Sequence, residues 1–184
     1  MKLAHASLLG LFLVALGPAP AAHSSWPAVT AVSSEPQLRH AESVVLLARL
    51  REDLQAIRAL IRDMRGLAAL ATNGTLPAHE RAFLDIRFGQ MGSQLDQIAF
   101  SSSSSGISIL DGSYISVALQ VHPALPHMWI QPLVECTLIA LGQASQDIST
   151  VANANSALPA CDMALDSVEH ALREVRAGVN AIGA

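Results

Sequence analysis

Two histidines and a cysteine near a proline-rich loop are the first candidates for chemistry in this sequence. His122 and His127 enclose two prolines, and Cys136 follows them along the chain. Their spacing matches neither two histidines one helical turn apart nor the close cysteine pairs of zinc sites. We therefore expect surface or half-buried histidines here, with no metal ion and no cofactor.

A run of serines, Ser101–Ser105, is the next candidate, because a serine hydroxyl becomes a nucleophile when a base activates it. No Gly-x-Ser-x-Gly elbow surrounds the run, and no base has a recognisable spacing to it. Paired carboxylates such as Asp53 with Glu52, or Asp162 with Asp166, fall on outward helix faces, which indicates solvated charge. We expect a flexible serine loop and no enzymatic activity.

Cys136 and Cys161 are the only cysteines in the chain. In an oxidising compartment they could form a disulfide, and otherwise they are two small buried side chains. One pair defines no disulfide framework, so the sequence leaves both outcomes open.

The composition favours a helical protein and argues against a nucleic-acid partner. The net charge is −4 and charged residues make up 14% of the chain without a basic cluster, so the electrostatic footprint of a nucleic-acid-binding protein is missing. Aromatic residues make up only 4%, while aliphatic residues are abundant, which is typical of helices packed through aliphatic seams. We expect a mainly α protein with one domain.

Residues 1–22 differ in pattern from the rest of the chain. Lys2 precedes an apolar run from Leu8 to Leu16, and the small residues from Ala19 to Ala22 suit signal peptidase. The run is too short to be a stable membrane span. We expect a cleavable secretory signal peptide over residues 1–22, with an uncleaved apolar tail as the alternative. A linker rich in Ser and Pro follows over residues 23–40.

Three later segments carry apolar residues in alternating steps of three and four, the spacing of a coiled-coil seam. They predict helices over about 41–72, 78–100 and 157–182. The seam residues are Leu47, Leu50, Leu54, Ile57, Ile61, Met64, Ala68 and Ala71, then Leu84, Phe88, Met91, Leu95 and Ile98, then Cys161, Leu165, Val168, Leu172, Val175, Val179 and Ile182. Because each seam needs a partner, we predict an antiparallel three-helix bundle of the coiled-coil kind.

The segment between the second and third helices predicts a small β element. Residues 107–121 alternate in polarity around Asp111-Gly112, a preferred two-residue turn, and so predict a β-hairpin. Trp129 follows in the proline-rich stretch, and we expect its ring to pack against the core. Residues 133–148 offer a shorter fourth helical piece.

The triplet Asn73-Gly74-Thr75 ends the first helix, and Pro77 suits the first turn of the second. The same triplet is a sequon for N-glycosylation, but the helix stop already explains it by local physics. The prediction here is an antiparallel helical hairpin.

A fixed order of short motifs extends from the first predicted helix to the last. The motif positions are Arg65, Leu67, Asn73, Gly74, Thr75, Asp96, Ile98, Leu110, Asp111, Gly112, Gln120, Val121, Asp162, Ala164, Leu165 and Val168. Their order resembles the helical core of bacterial flagellins, and no gap is needed from Arg65 to Gly112. The resemblance implies a flagellin core fold with a small β-hairpin.

Flagellins are structural proteins that stack into the bacterial flagellar filament through a helical core and a coiled coil made from both termini. Residues 1–40 and the residues after Val175 do not carry the terminal motifs of that family. The resemblance therefore implies a flagellin-like structural protein, secreted or at the bacterial flagellum, that cannot polymerise alone. Its expected partners are other flagellin-like subunits or an unknown protein.

A second class of function uses the same scaffold differently. The chain would then be a secreted helical binding module, with the loop His122–Pro132 and its exposed aromatic residues as the contact surface. A working signal peptide favours this alternative.

Overall fold

The fold consists of three helices and five short strands, in a computed structural model that describes residues 36–183. In chain order they are β1 (Gln37–Leu38), α1 (His40–Ala71), α2 (Ala78–Ser101), β2 (Ser103–Ser104), β3 (Ile107–Ser108), β4 (Ser116–Gln120), β5 (Met128–Pro132) and α3 (Val151–Gly183). The mainly α fold predicted from the sequence is confirmed. The predicted signal peptide over residues 1–22, and the part of the predicted linker before residue 36, lie outside the described residues.

α1 is the central helix of the bundle. It packs extensively against α3 and also against α2, whereas contacts between α2 and α3 are few. Its core residues are almost fully buried, at 0–2% exposure: Leu46, Leu47, Leu50, Leu54, Ile57, Ile61, Met64, Ala68 and Ala71. Because burying each large aliphatic side chain contributes about 1.5–3 kcal/mol, this seam is the main source of stability in the fold.

α2 has fewer buried residues than α1. Phe88, Leu95 and Ala99 are buried in the shared core, and Leu84, Met91 and Ile98 are partly buried against it. The remaining apolar side chains of α2 point outward, so this helix carries apolar residues on more than one face.

α3 begins at Val151, six residues before the predicted start at residue 157. Thr150 caps it, because the Asn153 backbone N–H donates to Thr150 Oγ1 at 3.1 Å. Pro159 lies inside this helix, where a proline removes one backbone hydrogen bond. The Thr150 cap and the burial of Ala154 and Ala157 stabilise the turns of α3 that precede Pro159.

The strands do not form the single hairpin predicted over residues 107–121. β1, β4 and β5 form a three-stranded sheet in which β4 is central, parallel to β1 and antiparallel to β5. Leu119 of β4 lies between Leu38 of β1 and Trp129 of β5. Local turn signals could not reveal this sheet, because its parallel pair joins strands that are distant in the sequence.

The end of the predicted linker is ordered structure. Gln37 and Leu38 form β1, and the Ala118 backbone N–H donates to the Pro36 carbonyl at 2.9 Å. Glu42 accepts a hydrogen bond from the Arg39 N–H, which stabilises the start of α1. Residues 133–148, which offered a fourth helical piece, form a series of turns.

The serine run forms regular structure rather than a flexible loop. Ser102 ends α2 and is fully buried, and its hydroxyl donates to Asp53 Oδ2 at 2.5 Å. β2 and β3 then pair around a two-residue turn, Ser105-Gly106, with φ of 53° and 78°. Positive φ at both turn residues defines the tight hairpin turn that matches strand twist. The serines thus end a helix, form a strand and begin a turn.

Candidate functional site

The motif positions Arg65 and Asp162 lie far apart in the sequence and meet in the structure. Arg65 of α1 pairs with Asp162 of α3 through an Nε–Oδ1 distance of 2.5 Å, and this hydrogen bond raises the pKa of Arg65. Arg62 and Glu169 form a second pair at 3.2 Å. Both pairs are exposed and screened by solvent, so they contribute little to stability, but together they show the antiparallel register of α1 and α3.

The Asn73-Gly74-Thr75 motif forms the tip of the α1–α2 hairpin. Asn73 Oδ1 accepts hydrogen bonds from the Thr75 backbone N–H at 3.0 Å and from the Thr75 hydroxyl at 2.8 Å. The buried Arg81 of α2 donates to the carbonyls of Ala71, Asn73 and Leu76. Carbonyls at a helix end lack backbone partners, so the Arg81 guanidinium closes the end of α1 and fixes the tip.

Asp96 holds the loop between β5 and α3 against α2. Its Oδ1 accepts the Leu138 backbone N–H at 2.7 Å, and Asp85, also on α2, accepts the Ile148 N–H at 2.8 Å. A Cβ at Gly92 would lie 3.3 Å from the Leu138 side chain, so this glycine permits the close approach. The carboxylates of α2 therefore position a loop.

Asp111 and Gly112 form a corner instead of the turn of a hairpin. The Ser113 backbone N–H donates to Asp111 Oδ1 at 2.9 Å, and Gly112 has a φ of 81°. This positive φ favours glycine, and a Cβ at Gly112 would also lie 2.8 Å from Glu135 Oε2, so the Glu135 side chain would have to move. The buried Leu110 accepts the Cys136 N–H through its carbonyl at 2.9 Å.

Gln120 connects the sheet to the start of α1. Its Oε1 accepts the His40 backbone N–H at 3.2 Å, and its own backbone N–H donates to the buried hydroxyl of Ser43 at 3.1 Å. The Val121 N–H donates to the His127 carbonyl at 3.0 Å and extends the pairing beyond β4. The other motif positions are apolar and lie in or against the core: Leu67, Ile98, Ala164, Leu165 and Val168.

The outward side of α2 exposes large apolar side chains at both of its ends. Phe83 and Ile86 are each 60% exposed near its start, and Phe100 is 63% exposed near its end. Between residues 82 and 101, Arg87 is the only charged residue that is exposed. We call this surface the α2 face, and it consists of Phe83, Ile86, Gln90, Ser93, Gln97 and Phe100, which follow one another in steps of three and four.

A hollow of about 580 Å³ adjoins the α2 face at the hairpin tip. Its apolar lining includes Leu76, Phe83 and the 61% exposed Leu70. His79 and Glu80 also line it. An exposed apolar surface of this kind marks a site of protein contact more often than a catalytic centre.

Comparison with solved structures identifies the architecture. A crystal structure of Bacillus cereus flagellin matches this chain with a TM-score of 0.71 and 21% sequence identity, over 78% of this chain and 84% of that one. This chain has a flagellin-like fold. No protein-family profile and no curated protein matches it.

In this flagellin-like fold, the polar motif residues join elements to one another. Arg65, Asp96 and Gln120 each connect two parts of the fold, and Asn73 and Asp111 form turns. Contacts within the chain are therefore enough to account for the residue types at these motif positions.

The cysteines are free and buried, so the open alternative of a disulfide is not formed in this structure. Burial raises the pKa of Cys136 to about 12 and the pKa of Cys161 to about 11. Cys161 Sγ contacts Gln143 Oε1 at 3.6 Å. Thiols with raised pKa values are poor nucleophiles, because the thiolate is the reactive form.

The proline-rich loop differs from the contact surface described for a binding module. Trp129 lies in β5 and packs partly buried against the core, while Leu125 is exposed in the loop before it. The His122 ring accepts the Ala124 backbone N–H at Nδ1. Among residues 36–183, no group of three or more His, Cys, Asp and Glu side chains could hold a metal ion. Within the same range, no helix is long and apolar enough to cross a membrane.

Two buried polar contacts carry no family motif. Asp53 lies on the core side of α1 and accepts hydrogen bonds from Arg49 at 2.8 Å and from Ser102. Gln131 of β5 is fully buried against α3, where a Cβ at Gly178 would collide with its Oε1. The apolar seam of α1 continues past Asp53 without a break, so nothing local marks Asp53, Gln131 or Gly178 as buried.

Proposed function

We propose that this chain is a flagellin-like structural subunit that contacts other flagellin-like subunits through the α2 face and the adjoining hollow. The observation that carries the proposal is the exposed, nearly uncharged side of α2 on a flagellin-like fold. Removing neutral apolar and amide side chains from water costs little compared with removing charges, so this side of the bundle suits contact with another protein.

The size of the α2 face supports weak self-association of the chain by itself. From Phe83 to Phe100 the helix is roughly 27 Å long, and one helix side is about 10 Å wide. The resulting patch is much smaller than the roughly 800 Å² per partner of a stable interface. We therefore propose that this chain does not form filaments unaided and associates through the α2 face only at high concentration.

Sedimentation velocity of the 184-residue chain over a concentration series tests whether the chain self-associates and whether it does so through the α2 face. We expect reversible association that the double substitution Phe83→Gln/Ile86→Gln removes. Val45→Gln is the matched control, because Val45 is 61% exposed on α1, outside the α2 face, and this variant should associate like the parent chain. Filaments of the parent chain in electron micrographs would contradict the inability to polymerise. Equal association of the double variant would contradict the role of the α2 face.

We also propose an extracellular location, on the basis of the flagellin-like fold and the signal-like pattern of residues 1–22. Intact mass and N-terminal sequencing of the protein from cells, sheared filaments and culture medium test this proposal. A chain that starts near Ala22 in the medium supports secretion through a cleaved signal. A full-length chain in the filament fraction contradicts the signal peptide and leaves the structural role intact.

A further inference from the structure

A hollow of about 410 Å³ lies between α1 and α3, away from the α2 face. Every charged side chain that lines it is an arginine: Arg51 and Arg58 from α1, and Arg176 from α3. Gln55 and Asn180 add amide groups. The lining therefore offers many hydrogen-bond donors and a concentration of positive charge in a protein of net charge −4.

These arginines differ from those farther along the same two helices. Arg62 and Arg65 each pair with an acidic side chain of α3. The guanidinium groups of Arg51, Arg58 and Arg176 form no ion pair or hydrogen bond with any residue between 36 and 183. The α1–α3 boundary thus changes from complementary pairs to like charges, and like charges in one hollow gain most from an anionic partner.

A second, apolar hollow of about 340 Å³ continues from the first toward the start of α1. The two share Arg51 and Val179, and the second is also lined by Val44, Leu47 and Ile182. We call both together the α1–α3 groove. Between Val44 and Arg58 the groove follows α1 for roughly 21 Å, arginine-lined at one end and aliphatic at the other.

We propose that the α1–α3 groove binds an amphipathic helix of a partner protein whose contact face has carboxylates at one end and aliphatic residues at the other. The three free guanidinium groups select carboxylates, and the aliphatic half accepts apolar side chains at helical spacing. A free phosphate would engage the arginines and leave the aliphatic half uncovered. The proposal does not depend on the α2 face, because the groove is formed by α1 and α3.

A synthetic helix provides the test. The probe is a fluorescent peptide of about 18 residues with Leu at steps of three and four and with Glu in its last two turns, and the matched probe has Gln in place of Glu. Binding to the full chain is measured by fluorescence anisotropy at low and high salt. We expect the Glu peptide to bind, and we expect salt to weaken it.

The triple variant Arg51→Gln/Arg58→Gln/Arg176→Gln should bind the Glu peptide with an affinity lower by about tenfold or more, since three charge-assisted contacts are lost. Arg173→Gln and Arg87→Gln are matched controls, because each removes an exposed arginine outside the groove, and they should bind within about twofold of the parent. Circular dichroism verifies that every variant is folded.

Three results would overturn the proposal: no binding of the Glu peptide, equal binding of the Gln peptide, or unchanged binding to the triple variant. A fourth is pyrophosphate binding as tight as the peptide, which would define a small-anion site instead of a helix groove. The two proposals can fail separately. If the Glu peptide binds but the chain shows no self-association through the α2 face, the groove proposal stands and only the proposed subunit contact is contradicted.

Discussion

Pro159 is an exposed proline inside α3, and it leaves the Asn155 carbonyl without its helical N–H donor. Because its ring covers no core residue, Pro159→Ala should restore a hydrogen bond at little cost in packing. We expect the free energy of unfolding to rise by up to about 3 kcal/mol, measured by urea denaturation. Pro126→Ala, in the exposed loop after β4, is the control and should change it by less than about 1 kcal/mol. An unchanged midpoint for Pro159→Ala would show that α3 accommodates the proline without loss.

The buried thiols predict a specific pH dependence at the residue scale. Burial raises the pKa of Cys136 and Cys161 to about 12 and about 11, above an ordinary thiol value of about 9. Their contribution to stability is therefore complete below about pH 9 and is lost as pH rises toward the folded values, because the unfolded chain releases these protons first.

We expect the stability of the parent chain to fall as the pH rises from about 9 toward about 11, between the ordinary thiol pKa and the raised folded values. The double variant Cys136→Ala/Cys161→Ala should be less stable at neutral pH, since it opens small cavities, and should show a shallower fall. Denaturant midpoints at matched pH values give the comparison. Parallel pH profiles for the two proteins would refute the assignment to the thiols.

Single residues also mark the limit of sequence-based prediction. The seam positions of α1 were predictable, because their spacing alone indicates burial. The function of Arg81 was not, since its three carbonyl acceptors come together only when the hairpin closes. Asp53 lay within a stretch predicted to be solvated, and its burial depends on Ser102, which is distant in the sequence.

Two glycines in α2 allow a matched prediction at the scale of the element. Gly89 is exposed, and a Cβ there would meet no atom within 4 Å, whereas a Cβ at Gly92 would lie 3.3 Å from Leu138. We expect Gly89→Ala to stabilise the fold by about 1 kcal/mol through helix propensity. Gly92→Ala should gain less or lose stability, because Leu138 must move. Equal stabilisation by both substitutions in thermal unfolding would contradict the packing described for Gly92.

Local patterns predicted elements better than they predicted pairings. The structure places α1 and α2 at His40–Ala71 and Ala78–Ser101, each within one residue of the predicted bounds, because helical periodicity and end signals are local. The start of α3 was predicted six residues too late, since the apolar seam that indicates this helix begins only at Cys161. The hairpin predicted over residues 107–121 was wrong because Asp111-Gly112 does not join two paired strands: β3 pairs with β2, and β4 pairs with β1 and β5.

At the scale of the whole molecule, the central position of α1 predicts an order of local stability. α1 and α3 share the most extensive interface, while α2 packs on α1 and on the loop that follows β5. Hydrogen exchange followed by mass spectrometry should find the slowest amides in α1 and α3 and faster exchange in α2. Slower exchange in α2 than in α3 would contradict this order.

The candidate surfaces show a second limit at this scale. The order of motifs predicted the flagellin-like fold, because those residues make contacts within the chain. It did not indicate the α2 face or the α1–α3 groove. Both surfaces consist of outward-facing residues whose proposed contacts are with another molecule, and not with the rest of this chain. Charge and apolar periodicity become informative about such surfaces once the neighbours of each helix are known.

The central helix has a consequence for how the chain is synthesised. The ribosome makes α1 before α3, and α3, the partner for most of its core seam, is the last of the three helices between residues 36 and 183. In the same way, Leu38 of β1 can pair with Leu119 only after β4 has been synthesised. This high contact order should slow folding and leave an apolar nascent helix uncovered during most of translation. A holding chaperone, or delayed folding until synthesis ends, would suit a chain built in this order.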